Sequence, residues 1–450
     1  MQTVKKNRPG LMLRASVLGV LLAGSAGGAG AVSLTQAYEA AIKHDPVFRM
    51  RFYENESGKE NRIIGRSFLL PQVSGSYSYG KNVADQDYLQ FGIPQHQSPR
   101  YTSRSGVVQL RQPLFSMEGI ARYRQGKAQS AQSEEAYEAA IDEVSVRVVS
   151  AYLDVLFAQD QLALAKVQRD ASLELKKLNQ RLLERGEGTK TDMLETQARL
   201  DLAEAQVIEA QDNVTATRNT LEGVIGMDPG ELDRLGEQFR PIALEPVAFE
   251  DWRKLALARN NQLAAARLAV ETARLDIDRV RAGHYPRVDF VATYNRSDSE
   301  SLTNLNQQQV NRQLGVQVNI PLYQGGAISA STRQAAAAYG RAQAELDART
   351  NEITVELRKA YSLVTSSARK VDALSKAVES GKLLMTATEQ SIKGGVRINL
   401  DLLNAQQQLF TSQRDLAQAR YAYLIALMRL RAAAGVLQAD SVREIAAHFL

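Results

Sequence analysis

Leu314-Gly315-Val316-Gln317-Val318-Asn319-Ile320-Pro321-Leu322-Tyr323 alternates apolar and polar side chains and ends at a proline. In an extended chain Leu314, Val316, Val318 and Ile320 share one face, and Gly315, Gln317 and Asn319 share the other. The stretch has an earlier counterpart, because Gln112-Pro113-Leu114-Phe115 echoes Ile320-Pro321-Leu322-Tyr323. A second pair matches Leu70-Pro71-Gln72-Val73-Ser74-Gly75-Ser76-Tyr77 with Tyr285-Pro286-Arg287-Val288-Asp289-Phe290-Val291-Ala292. The pattern predicts four strands, over residues 73–79, 106–111, 288–294 and 314–320, with Pro71, Pro113, Pro286 and Pro321 at the strand–helix junctions. Polar loops are expected over 81–105 and 296–312.

Between these strands lie long helical runs. No proline interrupts residues 118–184, and Ile141, Val144, Val148, Tyr152 and Val155 recur at helical spacing. Roughly 65 residues at ~1.5 Å each make a rod of about 100 Å. Gly186 and Gly188 turn the chain into a second helix over 189–225. The same hairpin returns over 327–392 and 399–434, turned by Gly394 and Gly395. Tyr152 and Tyr361, like Asp192 and Asp401, are separated by about 209 residues, so one unit is used twice. The chain then divides into residues 1–31, a first repeat over 32–226, a connector over 227–251, a second repeat over 252–435 and a tail over 436–450. A helical stretch from 34 to 68 opens the first repeat, with a break at Asp45-Pro46.

Residues 1–31 read as an export signal: Lys5, Lys6, Arg8 and Arg14 precede an apolar run, and Ala29-Gly30-Ala31 offers a cleavage site. The whole chain holds 55 basic and 50 acidic residues. Removing those four leaves 51 against 50, which gives no support to nucleic-acid binding. The chain has no cysteine, so disulfides, thiolate metal sites and a lipidated N-terminal cysteine are excluded. His44, His96, His284 and His448 are scattered without metal-ligand spacing, and Gly186-Glu187-Gly188-Thr189-Lys190-Thr191 lacks the spacing of a phosphate loop. No enzyme chemistry and no cofactor are expected.

After the signal, no stretch reads as a membrane-spanning helix, so any membrane passage must use strands. Alternation over about ten residues fits a transmembrane β-barrel with a wet lumen, and it fits an amphipathic sheet on a soluble core equally. Tyr77, Tyr79, Tyr285, Tyr294, Phe115 and Tyr323 could supply aromatic girdles. Four strands cannot close a barrel, and open edges are not tolerated in lipid. Membrane strands therefore require self-assembly, and two, three or four chains would give eight, twelve or sixteen strands.

The order helix, Leu-Pro-Gln-Val, strand, strand, Pro-Leu-Phe, long helix, glycine turn and helix, used twice, resembles the TolC family of outer-membrane channel-tunnels. Ile320-Pro321-Leu322-Tyr323-Gln324-Gly325-Gly326 is similar to its strand-to-helix junction. Tyr421-Ala422-Tyr423-Leu424 and Leu430-Arg431-Ala432-Ala433-Ala434-Gly435-Val436-Leu437 are similar to its C-terminal signature. The resemblance covers nearly all of the chain after the signal. It implies a mostly α protein with membrane β: long antiparallel helical hairpins forming an α-barrel tunnel, and four strands per chain in a shared twelve-stranded barrel of a homotrimer. It also implies an outer-membrane location among outer-membrane lipid, a tunnel reaching into the periplasm, and export without chemistry.

The implied partners are a periplasmic adaptor and an inner-membrane transporter, either an ABC exporter or a proton-driven pump. The missing lipidation cysteine and the Leu-Pro-Gln-Val and Tyr-Gln-Gly-Gly segments look more like the type I secretion branch. Small-molecule efflux and a soluble periplasmic coiled-coil adaptor are the alternatives.

The resemblance makes Gly186, Gly188, Gly394 and Gly395 the adaptor-docking tips, which are also ordinary turn glycines. It makes Asp401 a pore-constricting aspartate, Arg397 a tie between closed helices and Asp192 the partner of that tie. The residues alone read differently: Thr189-x-x-Asp192 fits a capping box, and Asp401 lies where a helix dipole favours carboxylates after an Asn399 cap. Two departures from the family pattern, Asn404 for a second aspartate and Ile392 for an aromatic, imply a less acidic gate with a different latch. The second hairpin is expected to move and the first to hold it.

Overall fold

The computed structural model describes residues 31–236, 239–300, 307–394 and 399–449; the expected export signal lies outside them, apart from Ala31. Helix α1 (Leu34–His44) is capped by Ser33 in a box with Gln36. The break at Asp45-Pro46 is present. Asp45 accepts from the Val47 N–H at 2.8 Å and starts α2 (Pro46–Ser67), with proline in the first turn where no intrahelical donor is needed.

The two long hairpins follow the expected bounds closely. They are α3 (Met117–Glu184) with α4 (Lys190–Ile225), and α7 (Ala327–Lys393) with α8 (Asn399–Ala433). At 68 residues α3 is about 100 Å long. Helices α5 (Phe249–Arg259) and α6 (Asn261–Arg281) lead into the second strand pair. The expected tail instead folds into α9 (Ala439–Ala446), which buries Val442 and Ile445. Helices α2 and α6 flank the strand-proximal parts of α3 and α7, and α4 and α8 flank their distal parts.

The core sits midway along this rod, where α1, α5, α9 and the connector thicken the bundle. Tyr152, Leu153 and Leu156 of α3 are buried there with Leu34, Trp252, Leu424 and Met428. One 18-residue window of α3 is apolar enough to cross a membrane, contrary to expectation, and half of it is buried inside the protein. The two repeat tyrosines do equivalent work. Tyr152 donates to the Val32 carbonyl at 2.9 Å, and Tyr361 donates to the Val247 carbonyl at 2.7 Å. Each hydroxyl thereby satisfies a carbonyl of the segment leading into its repeat.

Four strands form one antiparallel sheet in the order β1-β4-β5-β6: β1 (Gln72–Val83), β4 (Arg100–Phe115), β5 (Arg287–Ser299) and β6 (Gln307–Asn319). All four are longer than expected. The expected first loop also holds a hairpin, β2 (Gln86–Gln90) with β3 (Ile93–Gln97), which continues the β1–β4 ladder through the bond from Ala84 N–H to the Pro99 carbonyl. Strand segments with polar residues on both faces need no apolar alternation, so that signal stops before the strands do. Pro113 does not end its strand either. Pairing with β1 stops at Arg111, the β4–β5 register shifts between Pro113 and Phe115, and a proline is tolerated at such an irregularity. Pro71 and Pro286 immediately precede β1 and β5, and Pro321 follows β6.

Register assigns the two faces. Ser74, Gln109, Thr293 and Gln313 lie in rows on one face; Val73, Leu110, Ala292 and Leu314 lie on the other. The apolar face is exposed, with Tyr77, Leu314 and Val316 all more than half accessible. At one edge β1 has only β4 as neighbour, and at the other β6 has only β5, among the described residues.

Candidate functional site: hairpin tips and barrel wall

The α3–α4 tip is built by Gly186. Its N–H bonds the Leu183 carbonyl at 3.0 Å and the Glu187 N–H bonds the Leu182 carbonyl at 2.9 Å, the paired pattern that closes a helix through a left-handed residue. Gly186 has φ +74°, the region that a side chain disfavours. Gly188 lies against the last turn of α3, near Leu182 and Leu183. Helix α7 ends differently: Gly394 is right-handed and donates to the Gln390 carbonyl at 3.0 Å. Gly395 and Arg397 lie outside the described residues.

Asp192 occupies the first turn of α4. Thr189 accepts from its N–H at 3.1 Å and donates to its carboxylate at 2.7 Å, so within one chain Asp192 is part of a helix cap. Asp401 lies in the first turn of α8, and Asn404 is exposed one turn further on. Helix α8 includes Asn399, so the cap position falls on residue 398, outside the described residues. Above the tips, Gln168 of α3 donates to Gln407 of α8 at 2.8 Å across a groove between the two hairpins.

The strand bases hold a cluster that the sequence reading did not assemble. Asp289, 1% exposed, accepts from Arg111 at 2.5 and 3.0 Å and from Arg287 at 3.0 Å. Arg287, Asp289 and Arg111 all lie on the polar face, beside the prolines that begin β5 and interrupt β4. Two guanidiniums share one carboxylate, leaving net positive charge at the neck of the sheet. The available signal was polar-face parity, which cannot say which strands are neighbours.

The C-terminal signature residues hold the fold. Tyr421 donates to Asp160 at 2.8 Å, and Tyr423 donates to the Ile242 carbonyl at 2.8 Å. Burial pushes both the Asp160 carboxyl and the Tyr421 hydroxyl up from their ordinary values. A cavity of about 470 Å³ in the middle of the rod holds Asp142, Asp154, Arg147 and Arg429. Burial pushes the Asp142 carboxyl up to about 7, against the lowering effect of a 3.2 Å bond from Asn261.

The sequence profile of outer membrane efflux proteins matches residues 37–227 and 252–436. The chain belongs to the outer membrane efflux protein family. It is 40% identical to the alkaline protease secretion protein AprF of Pseudomonas aeruginosa over 422 residues, which span 93% of this chain and 88% of that one. It is 37% identical to the proteases secretion protein PrtF of Dickeya chrysanthemi over 446 residues, 97% and 95% of the two chains. The fold is that of the Campylobacter jejuni CmeC outer membrane channel, with a TM-score of 0.76 over 99% of this chain and 97% of that one at 16% identity.

As a member of this family the chain is an outer-membrane channel with a helical tunnel reaching into the periplasm. The apolar face of its sheet meets lipid and the polar face lines the lumen. Tyr77, Tyr79 and Tyr294 then form one aromatic girdle, and Phe115 lies at the opposite end of the apolar face. About ten residues separate the two levels, and ~3.3 Å per residue at a tilt of ~40° gives a height of about 25 Å, the expected apolar band.

Proposed function

We propose that three copies of this chain close a twelve-stranded barrel and a continuous tunnel that carries a secreted polypeptide, of the protease class, out of the cell in type I secretion. The observation that carries this reading is the near-full-length relationship to two protease secretion proteins. The sheet supplies the physical support. It is amphipathic across all four strands and, among the described residues, unpaired at both edges, and in lipid each unpaired backbone group costs several kcal/mol. Pairing β6 of one copy with β1 of the next removes every edge.

In this reading the chain performs no catalysis. An inner-membrane ABC exporter delivers the polypeptide, and a periplasmic adaptor joins that exporter to the tips around Gly186, Gly188, Gly394 and Gly395. Asp401 from three copies constricts the periplasmic end. Like charges facing each other attract cations and oppose full closure, while Arg397 reaching Asp192 ties neighbouring hairpins. Asn404 adds no charge one turn further in, so the constriction holds a single acidic ring.

The test is complementation. The full chain is expressed in a Gram-negative host lacking the outer-membrane component of its own protease secretion system. Protease in the culture medium, together with a heat-labile species of three times the chain mass, is the expected result. Restored drug resistance with protease still retained in the cells would overturn the secretion reading in favour of small-molecule efflux.

A further inference from the structure

On the lipid face, β1, β4 and β5 enclose a groove of about 640 Å³, within the size range of ligand sites. Two glycines make it. Gly75 lies beside Val108 and Gly106 beside Tyr77 and Arg296, so side chains are missing from two adjacent strands on that face. Tyr77 and Tyr294 wall the groove, and Arg104 and Arg296 stand at its outer end. All of these residues belong to one chain.

The charge around it is placed by register. At the girdle level the lipid face carries Arg312 in the row of Tyr294, Arg296 in the row of Tyr77 and Arg104 in the row of Tyr79, with Lys81 and Arg100 one and two rows further out, and all five are exposed. The Arg104 guanidinium sits 5.7 Å from the Tyr79 ring centre, and the Arg312 guanidinium 5.9 Å from that of Tyr294. Asp298 also lines the groove, so two guanidiniums there face one carboxylate. The helices join the other end of the sheet, which puts this cationic belt at the outer leaflet. A cleft apolar below and cationic above suits one molecule whose acyl chain lies on the glycines and whose phosphate meets the arginines.

We propose that this groove binds the phosphorylated, multiply acylated glycolipid of the outer leaflet, lipopolysaccharide, through a lipid A phosphate at Arg104 and Arg296 and an acyl chain over Gly75 and Gly106. The assignment rests on the sheet facing lipid, but not on the number of copies. A free phosphate would not use the apolar floor, and a glycerophospholipid would offer fewer chains and no sugar phosphate to span two arginines.

The experiment uses the full chain purified in detergent and freed of lipid, titrated with lipid A, phosphatidylglycerol or inorganic phosphate and read by native mass spectrometry. Wild type is expected to hold lipid A in preference to both others. Arg104→Gln with Arg296→Gln is expected to weaken lipid A about 30-fold, as for two surface cations. Gly106→Phe is expected to weaken it at least about tenfold by filling the groove; among the described residues a β-carbon there meets only Tyr77 Cδ2 at 3.8 Å, so the strand accommodates it. Arg341→Gln, an exposed charge on the tunnel, should bind as wild type. Equal binding by either groove variant, or phosphatidylglycerol bound as tightly as lipid A, overturns the site. The same spectra report copy number, so monomers that still bind lipid A would count against the trimer and not against the groove.

Discussion

Gly435→Ala tests how the C-terminal signature holds the molecule together. Gly435 closes α8 with φ +68°, its N–H bonding the Ala432 carbonyl and the Val436 N–H bonding the Arg431 carbonyl, both at 3.0 Å. A β-carbon would stand 2.4 Å from the carbonyl carbon and oxygen of Arg259 and 2.6 Å from Asn260 N. Those are backbone atoms at the α5–α6 junction. Asn260 caps α6 by accepting from the Leu263 N–H at 3.0 Å and donates to the Ala433 carbonyl at 3.0 Å.

The left-handed alanine costs about 1–2 kcal/mol. Forcing the junction apart adds about 1–3 kcal/mol of overpacking, and each Asn260 bond lost adds about 1 kcal/mol. The sum, about 3–6 kcal/mol with one of those bonds lost, is a large share of a typical stability of about 5–15 kcal/mol. Gly186→Ala is the internal standard. Its φ is +74°, but nothing among the described residues lies within 4 Å of the added carbon, so it bears only the conformational cost of about 1–2 kcal/mol. Denaturant unfolding in detergent, compared at equal m-values, should separate the two variants by about 2–4 kcal/mol. If Gly435→Ala costs no more than Gly186→Ala, the close approach to Arg259 and Asn260 is not what selects glycine there.

Asp142 gives a pH signature. Its folded carboxyl titrates near 7 and its unfolded one near 3.8, so the folded state binds the extra proton between those values and stability falls as pH rises from about 4 to about 7. Asp142→Asn should match wild type below pH ~4 and exceed it above pH ~7 by about 2 kcal/mol, the full linkage halved for solvent screening; an unchanged slope of stability against pH would refute this. Asp289→Ala leaves Arg111 and Arg287 without their shared carboxylate on the lumen face. Bilayer recordings should show the reversal potential moving toward anion preference, and an unmoved potential would show that the cluster does not face the conduction path. Asp401→Ala should lower block by divalent cations, and Arg397→Ala should raise closed-state leak. Unchanged conductance in both would remove these residues from the gate.

The helical hairpins were legible because nothing in residues 118–184 contradicts a helix and the glycines stand where the chain must reverse. The strands were legible only where one face meets lipid. Residues 80–83 and 100–103 continue β1 and β4 outward past the tyrosine girdle, where charged and polar side chains are solvated and apolar alternation is not required. The capping role of Asp192 was readable from Thr189 three residues earlier, since caps are local. Asp289 and Arg111, 178 residues apart, were not readable as partners, because side-chain parity gives a face but not a neighbour. The tail became α9 for a similar reason: Val442 and Ile445 find their apolar surface on distant helices.

The open edges of the sheet have a genetic consequence. If each pore takes β1 from one copy and β6 from the next around a ring of three, no copy owns a pore. In a cell making intact and defective chains in equal amounts, random mixing leaves only about one pore in eight wholly intact. A defect at the gate that spares assembly should therefore be dominant, whereas a folding defect that keeps the chain out of the ring should be recessive.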